Sequence, residues 1–235
     1  MHLFYYPDIE DKHFTLNRNE SAHCVKVLRL GINDIIYLTD GKGKLCRAKI
    51  IIPDKKACTT EIIEVSRVNS ERDYKLHIAI SPTKNIERFE WFLEKATEIG
   101  IDMVIPLMCN NSERRIIKED RLKKVMVAAM KQSLKSWLPA ITPFMDFDNL
   151  VKQQFTGYRY LATGSEPLSN HLGNIYIKKS DVLIFIGPEG DFREEEMELS
   201  RHHGIIPVSL GESRLRTETA GVVACHTINL VNSLT

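Results

Sequence analysis

Residues 182–192 read Val182-Leu183-Ile184-Phe185-Ile186-Gly187-Pro188-Glu189-Gly190-Asp191-Phe192. Five uninterrupted apolar residues closed by a glycine and a proline predict a buried strand that ends in a loop. Gly187 and Gly190 let the backbone approach a ligand closely, and Pro188 stiffens the chain between them. Glu194, Glu195 and Glu196 suit the positive N-terminus of a helix predicted over 194–203. An ordinary strand-to-helix turn, capped by Asp191 or by these acids, accounts for the same residues, so this loop alone leaves both readings open.

Two more junctions share its character. Leu161-Ala162-Thr163-Gly164 closes a strand predicted over 158–162, and one predicted over 206–210 runs into Gly211-Glu212-Ser213-Arg214-Leu215-Arg216-Thr217-Glu218-Thr219-Ala220. In open α/β sheets ligands bind beyond the carboxyl ends of the strands, so three such loops can converge on one pocket. Residues 214–220 bring two guanidiniums, a carboxylate and two hydroxyls ahead of an apolar helix predicted over 219–230. Such a cluster is costly to bury without a ligand or dense pairing. Capping by Thr217 or Thr219, with Arg216 paired to Glu218, is the competing reading.

Working outward, an apolar run at 76–80 precedes a helix whose core face is Phe89, Phe92, Leu93, Ala96 and Ile99, stopped by Gly100. A strand at 103–107 follows, then a long helical pattern. There Leu122, Val125, Met126, Ala129, Ser133 and Trp137 form one stripe, with Arg121, Lys124, Lys131 and Lys135 opposite. Residues 113–135 hold eight Lys/Arg and three Asp/Glu, a local excess that suits either phosphate binding or a solvated face. Alternating strands and helices predict an α/β fold with a parallel sheet. Before them, residues 1–70 carry short apolar runs at 25–30, 35–38, 44–52 and 59–65, the pattern of a small β domain. Asp40-Gly41-Lys42-Gly43 predicts a hairpin turn, and Ser70-Glu71-Arg72-Asp73 the domain boundary.

Composition narrows the chemistry. The chain has 235 residues, 43% hydrophobic, with 32 Lys+Arg against 31 Asp+Glu, which suits neither a disordered tail nor a basic nucleic-acid coat. Five scattered cysteines without a CxxC pair argue against a disulfide framework and a zinc ribbon, and point to a reducing cytoplasm. No stretch approaches the roughly 20 apolar residues of a membrane span, so no membrane partner is expected. The absence of GxGxxG and Walker sequences removes the best support for hydride transfer and NTP hydrolysis. His202-His203 lacks partners at metal-ligand spacing, and Ser165 and Ser213 lack a nucleophile elbow, so no metal site and no hydrolase triad are expected.

Taken together, IGPEGDF and LGESRLRTETA closely resemble the paired signature of the SPOUT methyltransferases, specifically the ribosomal small-subunit methyltransferase E family. The resemblance runs the length of the chain. His23 and Val27-Leu28-Arg29-Leu30 resemble its PUA-like N-terminal domain; Lys84, Lys95-Ala96-Thr97-Glu98, Gly100, Ser112-Glu113-Arg114 and Gln132 match positions of its catalytic domain. Asp191 stands where a third glycine is usual, and Lys135 near Gln132 where arginine is common.

The resemblance implies a PUA-like RNA-binding β-barrel domain over 1–70 and a SPOUT methyltransferase domain over 74–235, with a C-terminal trefoil knot. It implies a cytoplasmic homodimer that uses S-adenosylmethionine to methylate N3 of a uridine in 16S rRNA, taken as free rRNA or in the 30S subunit. Backbone groups at Leu161, Thr163, Ile186, Gly187 and Gly190, with Leu210, Gly211, Leu215 and Thr219, are then expected to hold the cofactor. Arg216 is the candidate for binding a uracil oxygen, and Glu189 or Glu218 for base. Arg29, Arg88, Arg114 and Arg115 join the face of Arg121, Lys124, Lys131 and Lys135 as expected RNA contacts. Two rivals remain: a non-catalytic RNA-binding protein, and a SPOUT enzyme acting on another RNA nucleotide.

Overall fold

The chain enters as β1 (Leu3–Tyr5), β2 (His13–Thr15), α1 (Arg18–Ala22) and a π-helical turn over His23–Val27. It continues as β3 (Ile35–Thr39), β4 (Lys44–Ile52) and β5 (Thr59–Arg67). In this computed structural model, which describes residues 1–68 and 72–234, the chain divides into two compact units. One is Met1–Glu71 with Met130–Leu138, the other Arg72–Ala129 with Pro139–Thr235. Ser70 and Glu71, half of the predicted boundary, lie outside the described residues.

In the first unit the predicted hairpin forms. Gly41 and Gly43 take φ of +70° and +92°, and the Asp40 carboxylate accepts the N–H groups of Lys42 and Lys44 at 2.7 and 3.0 Å. The sheet runs β1-β3-β4-β5-β2, antiparallel except for the β1–β3 pair. Period-two alternation along β4 buries Cys46, Ala48 and Ile50 against Ile36, Leu38, Phe4 and Leu16 while Arg47 faces out.

The run at 25–30 is not a strand. Asn17 caps α1 by accepting the Glu20 N–H at 3.0 Å, and the helix continues into a π turn closed by Leu28 N–H to His23 O at 2.9 Å. Cys24 is buried and Val27 exposed, a helical partition that a short apolar run cannot announce by periodicity. Residues 130–138 belong to this unit: the Trp137 indole donates to Val68 O at 3.0 Å, and its ring lies where a Gly43 side chain would start.

The second unit contains β6 (Leu76–Ile80), α2 (Ile86–Ile99), β7 (Met103–Met108), α3 (Glu119–Gln132, its last residues reaching the first unit), β8 (Ala140–Ile141), β9 (Met145–Asp146) and α4 (Phe147–Lys152). Then follow β10 (Tyr158–Ala162), α5 (Leu172–Ile175), β11 (Val182–Ile186), α6 (Glu194–His202), β12 (Ile206–Val208) and α7 (Thr217–Ser233). The parallel sheet runs β12-β10-β11-β6-β7-β8, with β9 also paired to β7. Every residue of β11 is buried, as expected for a strand covered on both faces.

Helix α3 stops at Gln132, so Trp137 is not part of its stripe. Leu134 at φ +58° turns the chain, and Lys135 N–H closes on Met130 O at 3.0 Å. Leu122, Met126 and Ala129 are buried as the stripe predicts.

Gly221 on α7 sets how closely that helix meets the core. A Cβ there would fall 2.7 Å from the Phe92 ring and 2.8 Å from Ile80 Cδ1. Gly221→Ala is expected to lower stability by about 1–2 kcal/mol, the overpacking cost exceeding the gain in helix propensity. A melting temperature equal to or above the parent's counts against this close approach.

Candidate active site

Register aligns the strand ends. Ala162 pairs with Ile186 and Val208, and Ile186 with Ile80, so four chain segments leave the sheet side by side at its carboxyl edge. The three predicted loops therefore do converge, and a fourth, Ser81 to Asn85, joins them. Its Ser81 N–H donates to Ile186 O at 3.1 Å and its Lys84 N–H to Glu189 Oε1 at 3.1 Å. Arg114 holds this fourth loop by donating to Thr83 O at 3.0 Å and Lys84 O at 2.6 Å.

The loop after β11 is tied from behind. Buried Glu196 accepts the N–H of Arg193 at 2.8 Å and that of Asn110 at 2.9 Å, joining the loops after β11 and β7 with one carboxylate. Asn111 donates to Gly190 O and Asp191 O at 3.2 and 3.0 Å. Glu196, one of the acids expected at the start of α6, does cap that helix through the Arg193 N–H, whereas its bond to Asn110 and the role of Asn111 were not legible because those partners are remote in the chain.

Asp191 explains the departure from glycine. Its φ is +59°, in the left-handed region, and its carboxylate accepts its neighbour Phe192's N–H at 2.8 Å. Aspartate tolerates that conformation better than most side chains, but at a cost that glycine avoids. Asp191→Gly is expected to keep or raise the melting temperature, and Asp191→Val to lower stability by about 1–2 kcal/mol. Equal melting temperatures for the two variants refute the strain at this position.

The third loop resolves its two capping alternatives against both. Arg216, exposed, occupies the N-cap position of α7 with no side-chain cap. Thr217 is the first helical residue and its hydroxyl donates instead to Gly187 O at 3.1 Å, pinning the third loop to the second. Glu218 is buried, with Oε1 3.9 Å from Arg88 Nε rather than paired to Arg216, and its Oε2 is buried without a hydrogen-bond partner. A cavity of about 340 Å³ opens beside it, lined by Asn85, Glu87, Arg88 and Trp91 of one segment and by Arg216, Glu218 and Thr219 of the other.

Of the other expected cofactor positions, Leu161, Ile186 and Gly187 are buried at the strand ends. Thr163, Leu210, Leu215 and Thr219 are half-buried, and Gly190 and Gly211 exposed. The expected RNA contacts divide. Arg121 donates to Glu90 at 2.8 Å and Lys131 to Glu20 at 2.6 Å, and Lys131 also lies 5.5 Å from the centre of the Phe4 ring. Those two cations are engaged in ion pairs within the chain. Arg29, Arg115 and Lys124 are exposed, and Arg29 sits at φ +57°. Among the described residues no cluster of three potential metal ligands occurs, and no helix is long and apolar enough to cross a membrane.

Comparison with known proteins identifies the architecture. A family described as the RNA methyltransferase domain matches residues 70–229, and one described as the RNA methyltransferase PUA domain matches residues 16–63. The crystal structure of a probable rRNA-methyltransferase from Porphyromonas gingivalis superposes with a TM-score of 0.90 at 41% identity, covering 98% of this chain and 99% of that one. A ribosomal RNA small subunit methyltransferase E from Neisseria gonorrhoeae, bound to S-adenosyl methionine, gives 0.83 at 25% identity, covering 96% and 95%. The Bacillus subtilis ribosomal RNA small subunit methyltransferase E is 28% identical over 94% of this chain and 91% of its own length. With the convergent loops of the second unit and the sheet of the first, these matches place the chain in the RNA methyltransferase family of the small-subunit methyltransferase E type.

Proposed function

We propose that this protein transfers a methyl group from S-adenosylmethionine to N3 of a specific uridine in 16S rRNA of the small ribosomal subunit. The observation that carries this reading is Glu218. A buried carboxylate with an unfilled oxygen lines the same cavity as an exposed arginine, on the third of the loops that leave the sheet's carboxyl edge. Unfilled buried acceptors are costly, so the site suits a ligand that brings a donor. An inert RNA-binding scaffold has no reason to keep one.

The loops fit the cofactor. A side chain begun at Gly164 or Gly211 would meet nothing within 4 Å, so open space borders the first and third loops where their backbones can reach a flat base. Leu161, Thr163, Ile186, Gly187, Gly190, Leu210, Gly211, Leu215 and Thr219 would hold it, the buried ones through main-chain groups. When bound, S-adenosylmethionine supplies a sulfonium methyl group whose C–S bond breaks with the electron pair left on sulfur. Glu218 takes the N3 proton, freeing the nitrogen lone pair for the new N–C bond. Arg216 stabilises the negative charge that spreads onto the uracil oxygens as that proton leaves. Glu189, exposed and already accepting the Lys84 N–H, acts as a structural acceptor rather than as the base.

Residues 1–70 then form the PUA-like RNA-binding domain and 74–235 the methyltransferase domain, with the trefoil knot of its class and a homodimeric assembly. A ribosomal substrate implies a cytoplasmic location. Arg29, Arg115 and Lys124 are the exposed cations best placed for phosphate contacts, whose strength falls with salt.

The test is methyl transfer from labelled S-adenosylmethionine to purified 30S subunits lacking this modification, alongside naked 16S rRNA, with the product nucleoside identified by mass spectrometry. 3-Methyluridine is the expected product. Another methylated nucleoside would move the reading to a different RNA target, and no transfer with no cofactor binding would favour the non-catalytic rival.

A further inference from the structure

The cavity beside Glu218 lies between the first turns of α2 and α7. At about 340 Å³ it falls at the small end of the ligand-pocket range of roughly 300–1,000 Å³, which suits one pyrimidine ring. Its polar groups are ordered. The Glu218 side chain is 8% exposed, with Oε2 unpaired, and the cavity is lined by Arg88 from the α2 side and Arg216 from the α7 side. The α2 side is fixed locally, since Asn85 Oδ1 accepts the Glu87 N–H at 3.1 Å and so holds the turn that carries Arg88. At 3.9 Å, Arg88 Nε is too far from Glu218 Oε1 for a good hydrogen bond, so both retain capacity toward a ligand.

Two guanidinium donors and one carboxylate acceptor lining one cavity supply the groups of a donor–acceptor–donor set. The imide edge of uracil is its complement, with O4 and O2 accepting and N3–H donating between them. Cytosine offers an amino donor and an unprotonated N3, which would set a lone pair against the carboxylate. Trp91, a large aromatic that is 42% exposed on the cavity wall, supplies a stacking face of the kind that holds unpaired bases.

We propose that Arg88, Trp91, Arg216 and Glu218 form the seat that selects an unpaired uracil by its imide edge and rejects cytosine. This rests on the reading that the chain methylates N3 of a uridine, and it moves Arg88 from phosphate contact to base recognition. Arg88 and Trp91 are then specificity-determining residues, and neither follows from the loop motifs.

Tryptophan fluorescence of the full-length protein, titrated with oligouridylate and oligocytidylate of equal length, tests the seat. Trp91→Phe separates the Trp91 signal from that of Trp137, the other tryptophan. Quenching of Trp91 by oligouridylate is expected at concentrations about tenfold lower than by oligocytidylate. Glu218→Gln should bring the two curves together, and Arg88→Ala should weaken oligouridylate selectively, with melting temperatures unchanged. Equal quenching by the two oligomers, or quenching that persists in Trp91→Phe, overturns the seat. If the same preparation still makes 3-methyluridine in 30S subunits, only the seat has failed; if it does not, the reading beneath it has failed.

Discussion

Arg216→Ala is expected to reduce methyl transfer about 10²–10³-fold while leaving the melting temperature within about 1 °C of the parent. Arg216 is exposed, caps no backbone group, and makes no hydrogen bond or ion pair among the described residues, so its removal costs the fold little. The loss should appear mainly in kcat, because the contact Arg216 makes to a uracil oxygen strengthens as the N3 proton leaves and negative charge builds there. Arg216→Lys should recover only part of the rate, since an ammonium replaces the charge but not the planar fork. Single-turnover methylation of 30S subunits measures both. Near-parental turnover by the alanine variant would remove Arg216 from the mechanism.

Glu196→Ala should have the largest effect on stability. Glu196 is 2% exposed and its carboxylate accepts two backbone N–H groups from different loops, at 2.8 and 2.9 Å. Deleting it removes two hydrogen bonds to a charged acceptor from part-buried backbone donors, at a cost of about 3 kcal/mol. For a chain of this size that lowers the melting temperature by about 10 °C. Cofactor affinity should fall as well, because the loop carrying Gly187 and Gly190 loses its anchor. Glu196→Gln keeps one acceptor oxygen and should lie between the two. A melting temperature within about 2 °C of the parent for the alanine variant contradicts the account. Thr217 and Asn111 hold the same loop by separate bonds, so the folded state survives while the site loosens.

Several parts of this protein were legible locally. The strands at 44–52, 76–80, 158–162 and 182–186 match their predicted limits, because each is an apolar or alternating run closed by turn residues. Asp40 to Gly43 announced its hairpin, and Gly100, at φ +127°, its helix stop. Where local signals were weak the reading failed. The run at 25–30 begins inside the π turn His23–Val27 that continues the helix capped by Asn17, and α3 ends before Trp137 because Leu134 turns left-handed. The family was readable because its loop residues are consecutive in sequence.

The sequence by itself thus determined the strands, the loops and the residue types that carry the chemistry. Only the tertiary structure decided their partners. Strand order β12-β10-β11-β6 brings Ala162, Ile186, Val208 and Ile80 to one level, which no periodicity specifies. The tertiary fold also takes Lys131 out of the basic face by pairing it with Glu20, 111 residues away, and leaves Glu218 facing Arg88 with one oxygen unfilled. The reason is physical: hydrophobic periodicity encodes which side of an element leaves water, a local property, whereas the pairing of charges and loops depends on chain segments that meet only when the core closes.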